Sequence, residues 1–246
     1  MAKEEFTIRF DASKPLEALA ALRDMAENIR QKMATAGASE VSVPEVISAP
    51  APAPSERPKL VWAQKVSATF IERVFWIADE ITKLQKSYFD PNWLMACIAW
   101  ESGESFSPSK KNMAGSGATG LIQFMPTTAT DLAAWRTRKS GKTVSLSTAT
   151  LAKMTAEDQL SWVYWYFVMM IEAHGPITNL EDCYMAILWP AAIGDPVSSA
   201  LWTKTGRPTT YRQNAGLDKN TDGTITKLEA ADHVREKLTK GLKYAA

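Results

Sequence analysis

Residues 90–103 read Asp90-Pro91-Asn92-Trp93-Leu94-Met95-Ala96-Cys97-Ile98-Ala99-Trp100-Glu101-Ser102-Gly103. Asp90 followed by Pro91 is a helix start: a carboxylate can accept from a free first-turn N–H, and proline fits the first helical position, where its own N–H is not needed. Ser102-Gly103 ends the helix. Leu94, Cys97 and Ile98 mark one face, and Glu101, three residues after Ile98 and four after Cys97, continues it. A carboxylate on an apolar stripe has its charged form disfavoured and its pKa raised, which makes a Glu a proton donor near neutral pH. A Glu curling out to water at a frayed helix end has the same spacing, so on spacing alone both readings stand.

Outward from this helix the pattern stays helical. Phe70, Val74, Ile77, Ile81 and Leu84 recur at three- and four-residue steps upstream. Downstream, residues 157–173 are apolar nearly all round, which predicts a central helix, and 181–189 and 229–243 read as further helices. Strand signal is weak and no repeat is evident, so the fold class expected is mainly α. The chain has 246 residues, with 46% hydrophobic and 22% charged. That is ordinary globular composition, long enough to bury a core without disulfides. The 28 Lys and Arg against 27 Asp and Glu leave a net charge of +1, which gives no support to a nucleic-acid partner. Two His and two Cys exclude a multi-zinc protein and leave little material for Ser-His-Asp or Cys-His catalysis. Cys97 and Cys183 lie in apolar helical patterns and read as buried free thiols.

The N-terminal 42 residues form a separate unit. Glu5 to Phe10 alternate weakly, as a short strand would, and Leu16, Leu19, Leu22, Met25 and Ile29 follow helical spacing. One amphipathic helix cannot bury its stripe alone, so this arm is read as an anchor or an oligomerisation element. Residues 43–58, with Ala49-Pro50-Ala51-Pro52-Ala53-Pro54, form an extended Pro/Ala-rich linker. Residues 59–246 are the helical domain. The first residues lack the apolar core of a secretory signal peptide, and no run is long enough for a transmembrane helix.

After Gly103 come Glu104-Ser105-Phe106-Ser107-Pro108, then Gly115-Ser116-Gly117-Ala118-Thr119-Gly120-Leu121-Ile122-Gln123-Phe124-Met125-Pro126, then Thr128-Ala129. The two segments together resemble the soluble lytic transglycosylase family of the lysozyme-like superfamily, whose Glu-Ser motif is followed by Gly-Ala-x-Gly-Leu-Met/Ile-Gln and a proline. The Phe stands two residues later than in bacterial members, a spacing similar to the bacteriophage branch. The similarity runs from about residue 66 to the C-terminus. It implies a lysozyme-like helical catalytic domain cleaving the β-1,4 bond between N-acetylmuramic acid and N-acetylglucosamine, with a 1,6-anhydro product. Glu101 would be the single catalytic acid/base, with Ser102, Ser116 and Gln123 contacting the sugar and the glycine-rich 115–120 loop close to the glycan. Trp189 would either stack on a sugar or pack, and Tyr211 is the candidate for the late cleft tyrosine common in the family. Two departures stand out. Ala114 occupies a position often held by Ser, and Ala186 to Gly194 replace the family's Ala-Tyr-Asn-x-Gly motif. Glu104, the one other carboxylate in the turn, reads as a solvated surface charge; as a second catalytic group it would make a hydrolase.

Residues 218–229 fit the twelve-residue EF-hand loop: Asp218, Asn220 and Asp222 at positions 1, 3 and 5, Gly223 at 6, and Glu229 at 12. Thr224 would ligate through its carbonyl and Thr226 through water. A metal-free Asx-rich turn is the alternative. The expected ion is a structural Ca2+, with no organic cofactor. Phage proteins resembling this chain carry such a loop near the C-terminus.

These readings converge on a phage virion-associated enzyme, made in the host cytoplasm and acting on the bacterial cell wall. The expected partners are peptidoglycan glycan strands and, through the arm, other virion proteins or a second copy, with no nucleic acid. A phage endolysin, a hydrolytic lysozyme and a non-catalytic structural virion protein on a lysozyme-like fold are the alternatives.

Overall fold

The computed structural model describes residues 57–112 and 115–246. The expected arm (1–42), all but the last two residues of the linker, and Ala114 lie outside them.

The first long helix, α1 (Ala68–Gln85), starts where the Ser67 side chain accepts from Phe70 N and stops at Lys86 in the left-handed region, φ 55°. Phe70, Val74, Ile77, Ala78 and Ile81 are buried, as their spacing predicts. Leu84 departs from that stripe: it is exposed.

Helix α2 (Pro91–Glu101) begins as expected, with the Asp90 side chain accepting from Asn92 N at 2.8 Å. Its burial is more complete than one face. All six residues from Leu94 to Ala99 are shielded from solvent, and α1, α6 (Leu180–Leu188) and α9 (Asp232–Gly241) pack against it. The central helix is therefore α2. Helix α5 (Ala156–His174), expected to be central, instead buries Leu160, Val163, Phe167 and Met170 and leaves Trp162, Tyr164 and Trp165 partly exposed. Aromatic rings on its outer side make an all-round apolar sequence without all-round burial.

Helices α3 (Pro126–Ser140) and α4 (Thr148–Leu151) lie between the glycine-rich segment and α5, and α3 packs on α5. Strand β1 (Ala200–Thr203), α7 (Pro208–Gln213), strand β2 (Thr224–Thr226) and α8 (Lys227–Ala230) precede α9. The two strands pair antiparallel, with Trp202 opposite Ile225, and both side chains are buried.

The last helix closes the domain. Trp62 N donates to Gly241 O at 3.1 Å, and Trp62 Nε1 to Lys237 O at 2.9 Å. Gly241 is required there, since a Cβ at that point would overlap the Trp62 ring. Among the described residues, no helix is long and apolar enough to cross a membrane.

Candidate active site

Glu101 is the last residue of α2. Among the described residues its carboxylate has no hydrogen-bond or ion-pair partner, and burial pushes it from its ordinary 4.5 up to about 8. The residue is half-buried, with one edge reaching the surface; a carboxyl so shielded, with no compensating donor among the described residues, stays protonated at neutral pH. Once ionised, it would place a negative charge near the Tyr166 and Tyr184 phenols and the Cys97 thiol. All three are raised, chiefly by burial and further by Glu101. These groups share one poorly hydrated neighbourhood. The Tyr184 hydroxyl accepts from Trp100 Nε1 at 3.0 Å, and the Tyr166 hydroxyl donates to Ala186 O at 2.5 Å.

The turn after Glu101 is tightly bent: Gly103, Glu104 and Phe106 all have left-handed φ, at 61°, 65° and 50°. Non-glycine residues in that region cost on the order of 1 kcal/mol or more each, so other contacts must hold them. Phe106 is buried near Trp62 and Phe70, at 6.0 and 6.1 Å between ring centres. Glu104 binds Lys237 Nζ at 2.5 Å and Lys240 Nζ at 2.6 and 2.7 Å. Those two lysines, Lys237 first, hold its carboxyl below the ordinary range. Glu104 is thus an ion-paired anchor between this turn and α9, where a solvated charge was expected.

Ser102 does not face a ligand. It is fully buried, and its Oγ accepts from Phe106 N at 3.0 Å, so the hydroxyl latches the turn. This corrects its expected role as a sugar contact: the chain reverses at this residue and carries the side chain inward.

The glycine-rich segment is a small bridged loop. Thr119 N and Phe124 O are 3.1 Å apart, Phe124 N and Thr119 O 2.9 Å, and Gly120 N donates to Lys110 O at 2.8 Å. Its hub is Gln159 of α5, fully buried, which accepts from Leu121 N at 2.6 Å and donates to Pro108 O and Leu151 O at 3.0 and 2.9 Å. Gly120 has φ 90°, and a Cβ there would overlap the Gln159 amide. Gln123, also left-handed with φ 52°, donates from Nε2 to Lys110 O and Gly120 O, both at 3.0 Å. Its amide nitrogen is taken up by the loop, and its carbonyl oxygen is what a ligand could meet. Ser116 is exposed and accepts from Ala118 N at 3.3 Å.

Sequence reasoning missed Tyr166, Tyr184 and Gln159. Gln159 follows Glu157-Asp158 in the polar first turn of α5 and the two tyrosines lie in apolar stretches, so none of the three carried a local signal. Tyr211 is corrected in the other direction. It lies beneath the 218–229 loop, with its hydroxyl donating to Asp218 Oδ2 at 2.5 Å, which pushes that hydroxyl up to about 12. Trp189 packs edge-on to Trp202 at 5.6 Å, with the Arg207 guanidinium 5.2 Å from its ring centre. Beside Glu101's neighbour Trp100, whose ring stacks on His233 at 4.5 Å, a pocket of about 310 Å3 opens, also lined by Tyr184, Leu188, Asn214 and Leu217.

In the 218–229 loop, Thr221 and Gly223 take left-handed φ of 59° and 88°. Asp218 Oδ2 accepts from Tyr211 and from Gly223 N at 3.0 Å, while Asp218 Oδ1 is buried with no partner among the described residues. Glu229 Oε2 accepts from Thr226 N and Oγ1, and Glu229 Oε1 is likewise buried and orphaned. Asn220 and Asp222 bond to each other, and Asp222 Oδ1 accepts from Thr224 N at 2.7 Å. Thr226 Oγ1 also accepts from Glu229 N as the N-cap of α8, which leaves the oxygen one further lone pair. Among the described residues no three His, Cys, Asp or Glu side chains converge as they stand into a metal cluster.

Residues 80–170 match the family model of the transglycosylase SLT domain. The match contains Glu101, the bridged loop and Gln159. It is narrower than the expected span from residue 66 onward and leaves out the 218–229 loop. It supports a peptidoglycan-degrading function of the lytic transglycosylase kind. No curated protein matches the chain.

Proposed function

We propose that the protein is a peptidoglycan lytic transglycosylase, with Glu101 as its one acid/base. The observation that carries this reading is the carboxyl of Glu101: without a hydrogen-bond or ion-pair partner among the described residues, raised to about 8, and inside the segment matching the SLT domain. Protonated at neutral pH, it delivers its proton to the glycosidic oxygen as the bond to the muramoyl anomeric carbon breaks. As a carboxylate it then takes the proton of the muramoyl 6-hydroxyl, whose oxygen closes on that carbon. The proton gained balances the proton lost, and the product carries a 1,6-anhydro ring with no water consumed.

Hydrolysis by two carboxylates needs a second free anion to activate water or to attack. Glu104 is unsuited to that, since Lys237 and Lys240 hold it in α9's ion pair. Mass spectrometry of muropeptides from digested sacculi tests the reading. Anhydro-muramic ends are expected from wild type and none from Glu101→Gln, whereas reducing ends throughout would identify a hydrolase.

The finer reading places the enzyme in a phage virion, the 1–42 arm anchoring it and the 43–58 linker giving reach. Its absence from purified virions, probed with antibody, would sink that part alone. We also assign a structural Ca2+ to the 218–229 loop. The two orphaned buried carboxylate oxygens of Asp218 and Glu229 fit a hard cation. Asp218, Asn220, Asp222 and Glu229 would hold it by side chains, Thr224 by its carbonyl and Thr226 through water. Bound there, the ion supplies charge neutralisation and loop stability, and no catalytic step.

A further inference from the structure

The two cysteines of this 246-residue chain, 86 positions apart, meet: Cys97 Sγ lies 3.8 Å from Cys183 Sγ, both fully buried. A buried residue touches roughly 6–12 others, so among some 190 described residues a chance meeting of the only two thiols is uncommon. The helices that carry them matter too. Cys97 is one turn before Glu101 on α2. Cys183 on α6 precedes Tyr184, which accepts from Trp100 Nε1 at 3.0 Å. That hydrogen bond already fixes the register of the two helices beside the pair.

We propose that Cys97 and Cys183 are a disulfide site, free as thiols in a reducing compartment and cross-linked in an oxidising one. Bond formation requires the sulfurs to close from 3.8 Å to about 2.05 Å, a movement that in this proposal comes from side-chain rotation and a small slide along the α2–α6 seam. The oxidant is an external disulfide such as glutathione disulfide. One cysteine thiolate attacks it, releasing one glutathione thiolate and forming a mixed disulfide. The second cysteine then displaces the other glutathione, and the two protons lost from the protein thiols end on two glutathione thiols. Burial sets the kinetics: Cys97 is pushed up by its surroundings and the pair is closed to solvent. Exchange therefore proceeds through transient opening of the seam, is slow in the native state, and yields a bond equally slow to reduce. The cross-link would tie the helix ending in Glu101 to the helix carrying Tyr184 and close a loop of 86 positions. A loop of that size predicts a rise in melting temperature on the order of 10 °C.

The test uses the full chain, reduced and then equilibrated at pH 8 with glutathione disulfide a few degrees below its melting temperature. After denaturation and alkylation, intact mass reports how many thiols remain, and peptide mapping reports their partner. The expected result is monomer with no alkylated cysteine, a linked Cys97–Cys183 peptide pair, and a melting temperature raised by about 10 °C and restored by dithiothreitol. Cys183→Ala and Cys97→Ala should show no such rise. The wild-type titration needs neither variant to fold. Two thiols still alkylated after prolonged oxidation, a cross-link found only between chains, or an intramolecular bond that lowers the melting temperature would each overturn the proposal. None of these outcomes bears on the role of Glu101.

Discussion

Replacing Glu101 with Gln should stabilise the fold, most strongly at alkaline pH. Between its unfolded value of 4.5 and its folded value of about 8, the native protein holds a proton that the unfolded chain has released. The native state binds more protons, so stability is fully present below 4.5 and is lost as pH rises toward about 8. At about 1.4 kcal/mol per unit, the loss is about 1 kcal/mol at pH 5, about 3 at pH 7 and about 4 at pH 8. A Gln carries no charge to desolvate and shows no such slope. For a domain of this size each kcal/mol moves the melting temperature by roughly 2–4 °C. The gap between Glu101→Gln and wild type should therefore widen by roughly 10 °C from pH 5 to pH 8. Thermal unfolding of both proteins across that range measures it, and all other titrating groups cancel in the difference. A gap that stays constant to within about 2 °C would refute the reasoning. It would mean that Glu101 finds water or a donor and is ionised at neutral pH like any surface carboxylate.

The remaining predictions concern the groups around it. Glu101→Gln should lower wall-cleaving activity by about 10^3-fold, read by release of soluble muropeptides. Glu104→Gln should cost about 1 kcal/mol, screened by salt. Because that carboxyl is lowered, its contribution is present above 4.5 and disappears as pH falls through its folded value, opposite in sign to Glu101. Calcium chelation should lower the melting temperature of wild type but not of Asp218→Ala, and equal shifts would defeat the loop as a metal site. Gly120→Ala, which forces a methyl onto Gln159 at φ 90°, should cost on the order of 2–4 kcal/mol and disrupt the bridged loop; unchanged denaturant midpoints would contradict that.

What was legible in the sequence was local. Asp90-Pro91 announced α2 because a cap and a helix-compatible φ are properties of adjacent residues; three- and four-residue spacing put Glu101 on the apolar face, and the Glu-Ser and Gly-Ala-x-Gly-Leu motifs chose it as the candidate. The full burial of α2 was not legible, since Ala96 and Ala99 say little about burial and the helix that covers one side, α9, starts more than a hundred residues later. Tyr166 and Tyr184 reach Glu101's surroundings through tertiary packing of α5 and α6, which no window of sequence contains. Tyr211 was assigned by its place in the order of the chain, whereas its hydroxyl is fixed by Asp218, seven residues on. Strand β1 escaped notice because four residues pair only with β2, from within the calcium-type loop.

Lys227 gives that loop an unusual dependence on the rest of the domain. It is the tenth residue of the loop, yet its ammonium is fully buried against Asp182, with the carbonyls of Ala192 and Asp195 each accepting at 2.9 Å. Asp182 in turn accepts from Gly194 N at 2.9 Å and sits in the first turn of α6. A loop secured this way cannot fray alone, because withdrawing it would strand a carboxylate inside the protein. The 218–229 segment and the beginning of α6 should consequently open together as one cooperative unit, with matching amide hydrogen-exchange rates that slow in parallel when the loop is stabilised.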